Sequence, residues 1–327
     1  MASGTTTQWA VGTGIDYRYV DGYVDAVFRN NYLLGMQHPE NGRDVFPDLP
    51  VGDTSYRWKI QSAGNTNVAV FTEGAAAPVP VAQTYVNAAV AYTYFWGWIR
   101  VSGHVRDTMR NAAYAGLPLI ANEFIGTTED IRDLMNTSFM GSTYAGLAAA
   151  VDAGTTYGGI ARGSAAYFES TETAVSGALT KASLSNAMEY TEDNDKGGKV
   201  SLILCPRNQV TNYLAFSGTP NTSNHGFRAT PNDLRQGFDV EASPSRATFQ
   251  QVPIVGVPDM TNTEWYGLDL RMAMPAGQPN LGISTRRQFE FRGPVIAGDD
   301  DIWEISQASC FICHQPKWCW KNTGVTA

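Results

Sequence analysis

Residues 85–101 read YVNAAVAYTYFWGWIRV. Successive side chains of an extended chain point to opposite faces, so Val86, Ala88, Val90, Tyr92, Tyr94, Trp96 and Trp98 are expected to line one face of one strand. Asn87, Thr93 and Gly97 interrupt the run, which is too short and too aromatic for a membrane-spanning helix. Upstream, TSYRWKIQ (54–61) and VAVFTE (68–73) have the texture of strands, and EGAAAPVPVAQ (73–83) makes an Ala/Pro tip before the return run. Residues 53–101 are therefore expected to form a long β-hairpin. A two-stranded ribbon has no core of its own and is marginal in water. Its aromatic face has to be covered by the rest of the chain or by a neighbouring copy. That makes Tyr92, Tyr94 and Trp96, with Val70 and Phe71 on the outgoing side, candidate residues of an interface between subunits. Ala and Pro at the tip discourage uncontrolled strand addition.

Downstream of the hairpin, LPLIANEFIGTTEDIRDLMNTSFMGS (117–142) places Ile120, Phe124, Ile131, Met135 and Phe139 on one helical face. Pro118 suits a first turn and Gly141 a stop. A helix from Leu119 to Met140 would be a strut of roughly 33 Å. The glycine-rich AGTTYGGIARGS (153–164) lacks the closing Gly-Lys-Ser/Thr of a phosphate loop, and Gly12-x-Gly14 has no third glycine and no preceding strand. LTKASLSNAMEYTEDN (179–194) reads as a helix and VSLILCP (200–206) as a buried strand. A helical stretch over 206–216 precedes a polar loop at 217–246, and strands resume at 248–258, 265–274, 286–296 and 301–314. Residues 1–52 read as an extended arm that carries one helix, with Val20, Val24, Phe28 and Leu33 on one face.

Composition narrows the chemistry. The 327 residues include 43% apolar ones, enough for a large core, and 31 acidic against 23 basic side chains give a net charge of −8. An excess of negative charge argues against a protein built to grip phosphates. MASGTTTQWAVGTG (1–14) has neither the charge nor the apolar run of a signal peptide, so the chain is expected to be cytosolic with its four cysteines reduced. His38, His104, His225 and His314 show no metal-binding spacing, and no Gly-x-Ser-x-Gly elbow occurs. The paired acids Glu129/Asp130, Glu192/Asp193/Asp195 and Asp299/Asp300/Asp301 read as solvated turns or helix faces, with a divalent-cation site as the alternative. The tail poses the sharpest question. Cys310-Phe-Ile-Cys313-His314 has the form of a haem attachment motif, and with Cys319 the set could hold zinc. On a strand, however, Cys310 and Cys313 point to opposite faces, and Phe-Ile is strand filler rather than a knuckle turn. Structural thiols are the expectation. No catalytic, cofactor or metal residue is assigned, and no enzyme is expected.

The order of these parts resembles the major capsid proteins of tailed bacteriophages, the Hong Kong 97-type fold. The resemblance covers nearly the whole chain and rests on element order and on four local textures: GDTSYRWKI, DAGTTYGGIARGS, GGKVSLILCP and DDDIWEISQASCFICHQPKW. It implies an α+β fold with an N-terminal arm (1–52), an extended hairpin loop (53–101), a peripheral domain with the strut helix (102–178 and 295–327) and an axial domain (179–294). It implies a shell protein that assembles into pentamers and hexamers around double-stranded DNA in the host cytoplasm and resides in the virion. Separate scaffold, portal and decoration proteins would be its partners, with non-specific contacts to packaged DNA, no cofactor and no membrane. Some members cross-link subunits through a hairpin lysine, which draws attention to Lys59 and Asn322. An encapsulin-like nanocompartment shell is the alternative within the fold, and a cytosolic metal or redox protein using the tail cysteines is the alternative outside it.

Overall fold

The computed structural model describes residues 46–65, 70, 82–104, 119–192, 197–210, 213, 247–250, 252–258, 260–271 and 278–326. The expected arm helix at 17–37, the loop 217–246, most of the hairpin tip, Phe71, Asp193, Asp195, His38 and His225 lie outside them. The chain divides into two compact units, one of residues 1–31, 93–137 and 285–309, the other of 32–92, 138–284 and 310–327.

The short β1 (Asp48–Leu49) leads into β2 (Ser55–Ala63), which pairs antiparallel with β3 (Thr84–Ala91), from Ser55↔Ala91 to Ala63↔Thr84 with a bulge between Gln61 and Ala63. The run 85–101 is therefore two strands, because β4 (Thr93–Ser102) leaves the hairpin and pairs elsewhere. The expected single face breaks at Tyr92. Before the break the even-numbered Ala88 and Val90 are buried, and after it the odd-numbered Phe95, Ile99 and Val101 are. Each strand turns its apolar side to a different core, and β4 has apolar residues on both sides, so alternation alone could not reveal the change.

In the first unit, β4 runs antiparallel to the first part of β13 (Asp300–Cys313), from Thr93↔Ser309 to Ser102↔Asp300, and β12 (Leu281–Ala297) flanks β13 on its other side. Across the near face lies α1 (Leu119–Met140), with the bounds that Pro118 and Gly141 suggest. Ile131 and Met135 are buried in this unit, and the edges of Phe291 and Trp303 meet the Phe124 ring at centroid distances of 5.6 and 6.0 Å. Gly97 lets the helix approach: a β-carbon there would lie 2.5 Å from Thr127 Cγ2 and 3.1 Å from Ile131 Cδ1.

The second unit is built on a mixed six-stranded sheet in the order β7-β14-β11-β8-β10-β9, where β7 is Thr171–Ala178, β8 Leu202–Pro206, β9 Ala247–Phe249, β10 Val252–Val257, β11 Trp265–Leu268 and β14 Trp320–Thr326. Every residue of β8 is buried, as its unbroken apolar run predicts. A helix, α3 (Lys181–Glu192, after the single turn α2 at Leu147–Ala150), adds Leu184 and Met188 to a core that includes Ile203, Tyr213, Phe249, Trp265 and Trp320. Within the stretch 295–327 that the resemblance assigns to the peripheral domain, β14 sits between β7 and β11, parallel to one and antiparallel to the other, and buries Trp320 and Val325 in this second core. The glycine-rich loop is a small hairpin of β5 (Thr156–Tyr157) and β6 (Ile160–Ala161). Gly158 and Gly159 have φ of +58° and +79°, the two left-handed residues that such a tight turn demands.

Candidate assembly surface

The tail motif belongs to the core. Cys205, Cys310, Cys313 and Cys319 are all free and buried, and burial pushes the Cys310 thiol up to about 12 and the Cys313 thiol well above its ordinary range. Phe311, between the two cysteines of the motif, packs against Phe46 and Phe139. Among the described residues no three His, Cys, Asp or Glu side chains come together as metal ligands would. Asp299 lies in the turn before β13 and Asp300 and Asp301 begin the strand, where Asp300 accepts a hydrogen bond from Arg100 Nε at 2.7 Å. Glu129 on α1 is paired with Arg132 at 2.9 Å. Asn322 is wholly buried on β14, while Lys59 is exposed on the hairpin.

His314 instead fastens the root of the hairpin. Its Nδ1 lies 2.7 Å from the Pro279 carbonyl oxygen, its Nε2 3.0 Å from the Tyr56 hydroxyl, and its own carbonyl accepts from the Trp58 indole N–H at 3.0 Å. Tyr56 and Trp58 project from β2 on the side that Ala88 and Val90 share, and the backbone N–H of Ala89 donates to Gly158 O at 2.9 Å. A second fastening is at Tyr92. Its hydroxyl accepts from the Gly52 N–H at 2.7 Å and lies 3.0 Å from Ser284 Oγ, which donates to Pro50 O. Tyr92 is only 7% exposed, so its burial within the subunit, not a place on an outer face, is what its aromatic ring serves. His314 meets Tyr56 and Trp58 from 258 and 256 positions away and Ser284 meets Tyr92 from 192 away, and no local sequence signal marks these links.

The outward-facing aromatics begin one residue later. Tyr94, Trp96 and Trp98 are 50%, 54% and 63% exposed, on the face of β4 opposite Phe95, Gly97 and Ile99. In register beside them on β13 are Ala308, Ser306 and Glu304, and from β12 Arg286 donates to the Tyr94 hydroxyl at 3.3 Å. Charged side chains flank the row, with Glu290 held between Arg287 and Arg292 at 3.0 Å from each. Val70, toward the hairpin tip, is 97% exposed. A row of large aromatics exposed to this extent is the kind of surface feature associated with protein partners.

No family model matches the chain, and no curated protein matches it. Solved structures do. The chain aligns with a subunit of the cyanophage A-1(L) capsid over 96% of its own length and 98% of that chain, with a TM-score of 0.69 and 15% identity. The chain has the Hong Kong 97-type capsid fold. A native GTA particle capsid matches this capsid fold at a TM-score of 0.62 with 9% identity, over 96% of this chain and 97% of that one. The encapsulin of Synechococcus elongatus PCC 7942 matches it at 0.55 with 11% identity, over 95% and 92%. Within this capsid fold the two fastenings lie at the base of the extended hairpin, and the aromatic row lies on β4 next to the strand-swapping point at Tyr92.

Proposed function

We propose that this chain is the major shell protein of a tailed-phage-like particle, self-assembling into pentamers and hexamers that close around double-stranded DNA. What carries the reading is that the likeness to capsid subunits extends over 96% of this chain and 98% of the cyanophage one. The buried, bonded state of the tail motif supports a structural role over a redox one. Tyr94, Trp96 and Trp98, with Val70 toward the tip, are the residues proposed to meet a neighbouring subunit. Each aromatic offers roughly 100 Å² of apolar surface still exposed, and covering the three would contribute on the order of 5–8 kcal/mol before the losses of association.

Expression of the chain alone, followed by sedimentation and electron microscopy, tests the proposal. Closed particles, or capsomers that close when a scaffold is added, are expected; a monomer at all concentrations contradicts it. The encapsulin reading has its own support in the match to the Synechococcus shell, and the contents decide between the two. Particles recovered with double-stranded DNA fit the phage reading, and particles that co-purify with one stoichiometric protein cargo fit the other.

A further inference from the structure

We propose that the core of the second unit binds ordered water at Asn322 and Trp320 of β14. Both side chains are wholly buried, and three of their polar atoms, Asn322 Oδ1, Asn322 Nδ2 and Trp320 Nε1, have no hydrogen-bond partner in the protein. Two residues apart on one strand, they share a face of the sheet. That face is the apolar one, where Trp320 packs with Leu184, Met188, Ile203 and Trp265. The strand register locates them. Asn322 lies between Trp265 on β11 and Thr173 on β7, and Trp320 lies between Gly267 and Thr171. The indole of Trp320 fills the space over Gly267, where a β-carbon would fall on its nitrogen edge.

The unmet hydrogen bonds select the ligand. Nδ2 and Nε1 carry N–H groups that need acceptors, while Oδ1 is an acceptor that needs a donor. A simple cation or anion meets one of these demands and an apolar group meets neither. Water, donor and acceptor at once, meets all three. The charge that β14 carries is on its other face, where Lys321 is paired with Glu264 at 3.1 Å beside the Tyr266 ring. Without a ligand the amide would bear the full cost of its lost hydration, and an apolar residue of similar size would serve this core better. The neighbouring Trp265 shows the alternative solution. Its indole N–H donates to Gln209 Oε1 at 3.0 Å, and Gln209 Nε2 donates in turn to the carbonyls of Asn262 at 2.6 Å and Val325 at 3.1 Å, a network closed by protein groups alone. The way in is short, because Thr173, beside Asn322 in the ladder, is exposed on the end strand β7.

Water-selective NOE spectroscopy of the isotope-labelled full chain tests this. The Asn322 side-chain amide is identified by its loss in Asn322→Leu, and the Trp320 indole by its loss in Trp320→Phe. Cross-peaks to water with the sign of a long-lived contact are expected at both groups, and none at the Trp265 indole, whose partner is Gln209. They are expected to persist in Thr173→Val, which removes the hydroxyl beside Asn322 in register. Loss of the Asn322 cross-peak in that variant would assign it to the hydroxyl and overturn the proposal. It is overturned equally if either group is as silent as Trp265. Should an assignment variant fail to fold, a density map of the native chain that resolves ordered water decides. Peaks within hydrogen-bond distance of the Asn322 amide and of Trp320 Nε1 support the site, and an amide surrounded by protein groups alone sinks it.

Discussion

Arg162 is buried, yet its guanidinium is fully used by the turn around it. Nε donates to Thr155 O at 2.8 Å, Nη1 to Ala150 O at 2.6 Å, and Nη2 to Ala149 O at 2.5 Å and Thr155 Oγ1 at 2.8 Å, while the plane lies over the Tyr157 ring. The fork satisfies the carbonyls at the end of α2 and holds the glycine hairpin shut, a job for planar geometry rather than for charge alone. Arg162→Lys is expected to lower subunit stability by about 2–4 kcal/mol, since two or more carbonyls would lose their donors inside the protein; chemical denaturation of the unassembled subunit measures it. Gly267 makes a similar argument by absence, because a β-carbon there would fall directly on the indole of Trp320. Gly267→Ala should cost about 1–3 kcal/mol through forced displacement of that ring, visible in the same titration and in tryptophan emission. The cysteines give a chemical check. With all four thiols buried, and Cys310 and Cys313 held in the protonated form, the native chain should react negligibly with an aromatic disulfide reagent at pH 8 and release four equivalents on denaturation. A fast native thiol would mean that the tail is more open than its packing indicates.

Elements were legible in the sequence where their causes are local. The bounds of α1 follow from Pro118, Gly141 and the spacing of Ile131, Met135 and Phe139, all of which act within a few turns of one another. The buried strand β8 announces itself by composition. The break at Tyr92 did not show, because β4 carries Tyr94, Trp96 and Trp98 on one side and Phe95, Ile99 and Val101 on the other, and a strand apolar on both sides does not reveal which face is inward. The position of β14 was hidden for another reason: its partners Thr171–Ala178 and Trp265–Leu268 are distant in the chain, and long-range pairing has no local signature. Of the candidate interface residues, Tyr94 and Trp96 face outward, Tyr92 does not, and Trp98 joins the exposed row. This sorting gives an element-scale test. Trp96→Ser with Trp98→Ser should leave the folded subunit close to native stability, because neither ring is in its core, yet reduce particle yield sharply. Tyr92→Phe should do the reverse, losing about 1–3 kcal/mol of subunit stability through the unpaired Gly52 N–H while leaving the outer face intact. Thermal unfolding and sedimentation of the two variants separate the outcomes.

At the scale of the whole molecule the hairpin divides into an anchored and an unanchored part. Tyr56, Trp58, Ile60, Ala88 and Val90 are buried, and beyond the bulge between Gln61 and Ala63 the described residues Gly64, Asn65, Val70, Ala82, Gln83, Thr84 and Tyr85 are exposed. Exposed residues of this kind add little to the fold of one chain, and the proposed function gives them a use in contact with another copy. Removing residues 65–84 would join Gly64 to Tyr85. Because Gln61 already pairs with Tyr85, the junction becomes a three-residue loop, Ser62-Ala63-Gly64, with glycine in the place where such loops need a left-handed residue. The shortened chain is expected to stay soluble and folded, with an unfolding midpoint close to that of the full chain, because both fastenings at Tyr56–His314 and Tyr92–Ser284 remain. Under the proposed assembly role of the distal hairpin, it is expected to fail at closing shells. Normal closed particles from this variant in electron microscopy would remove the assembly role of the distal hairpin, and wholesale unfolding would mean that the tip belongs to the subunit's own core.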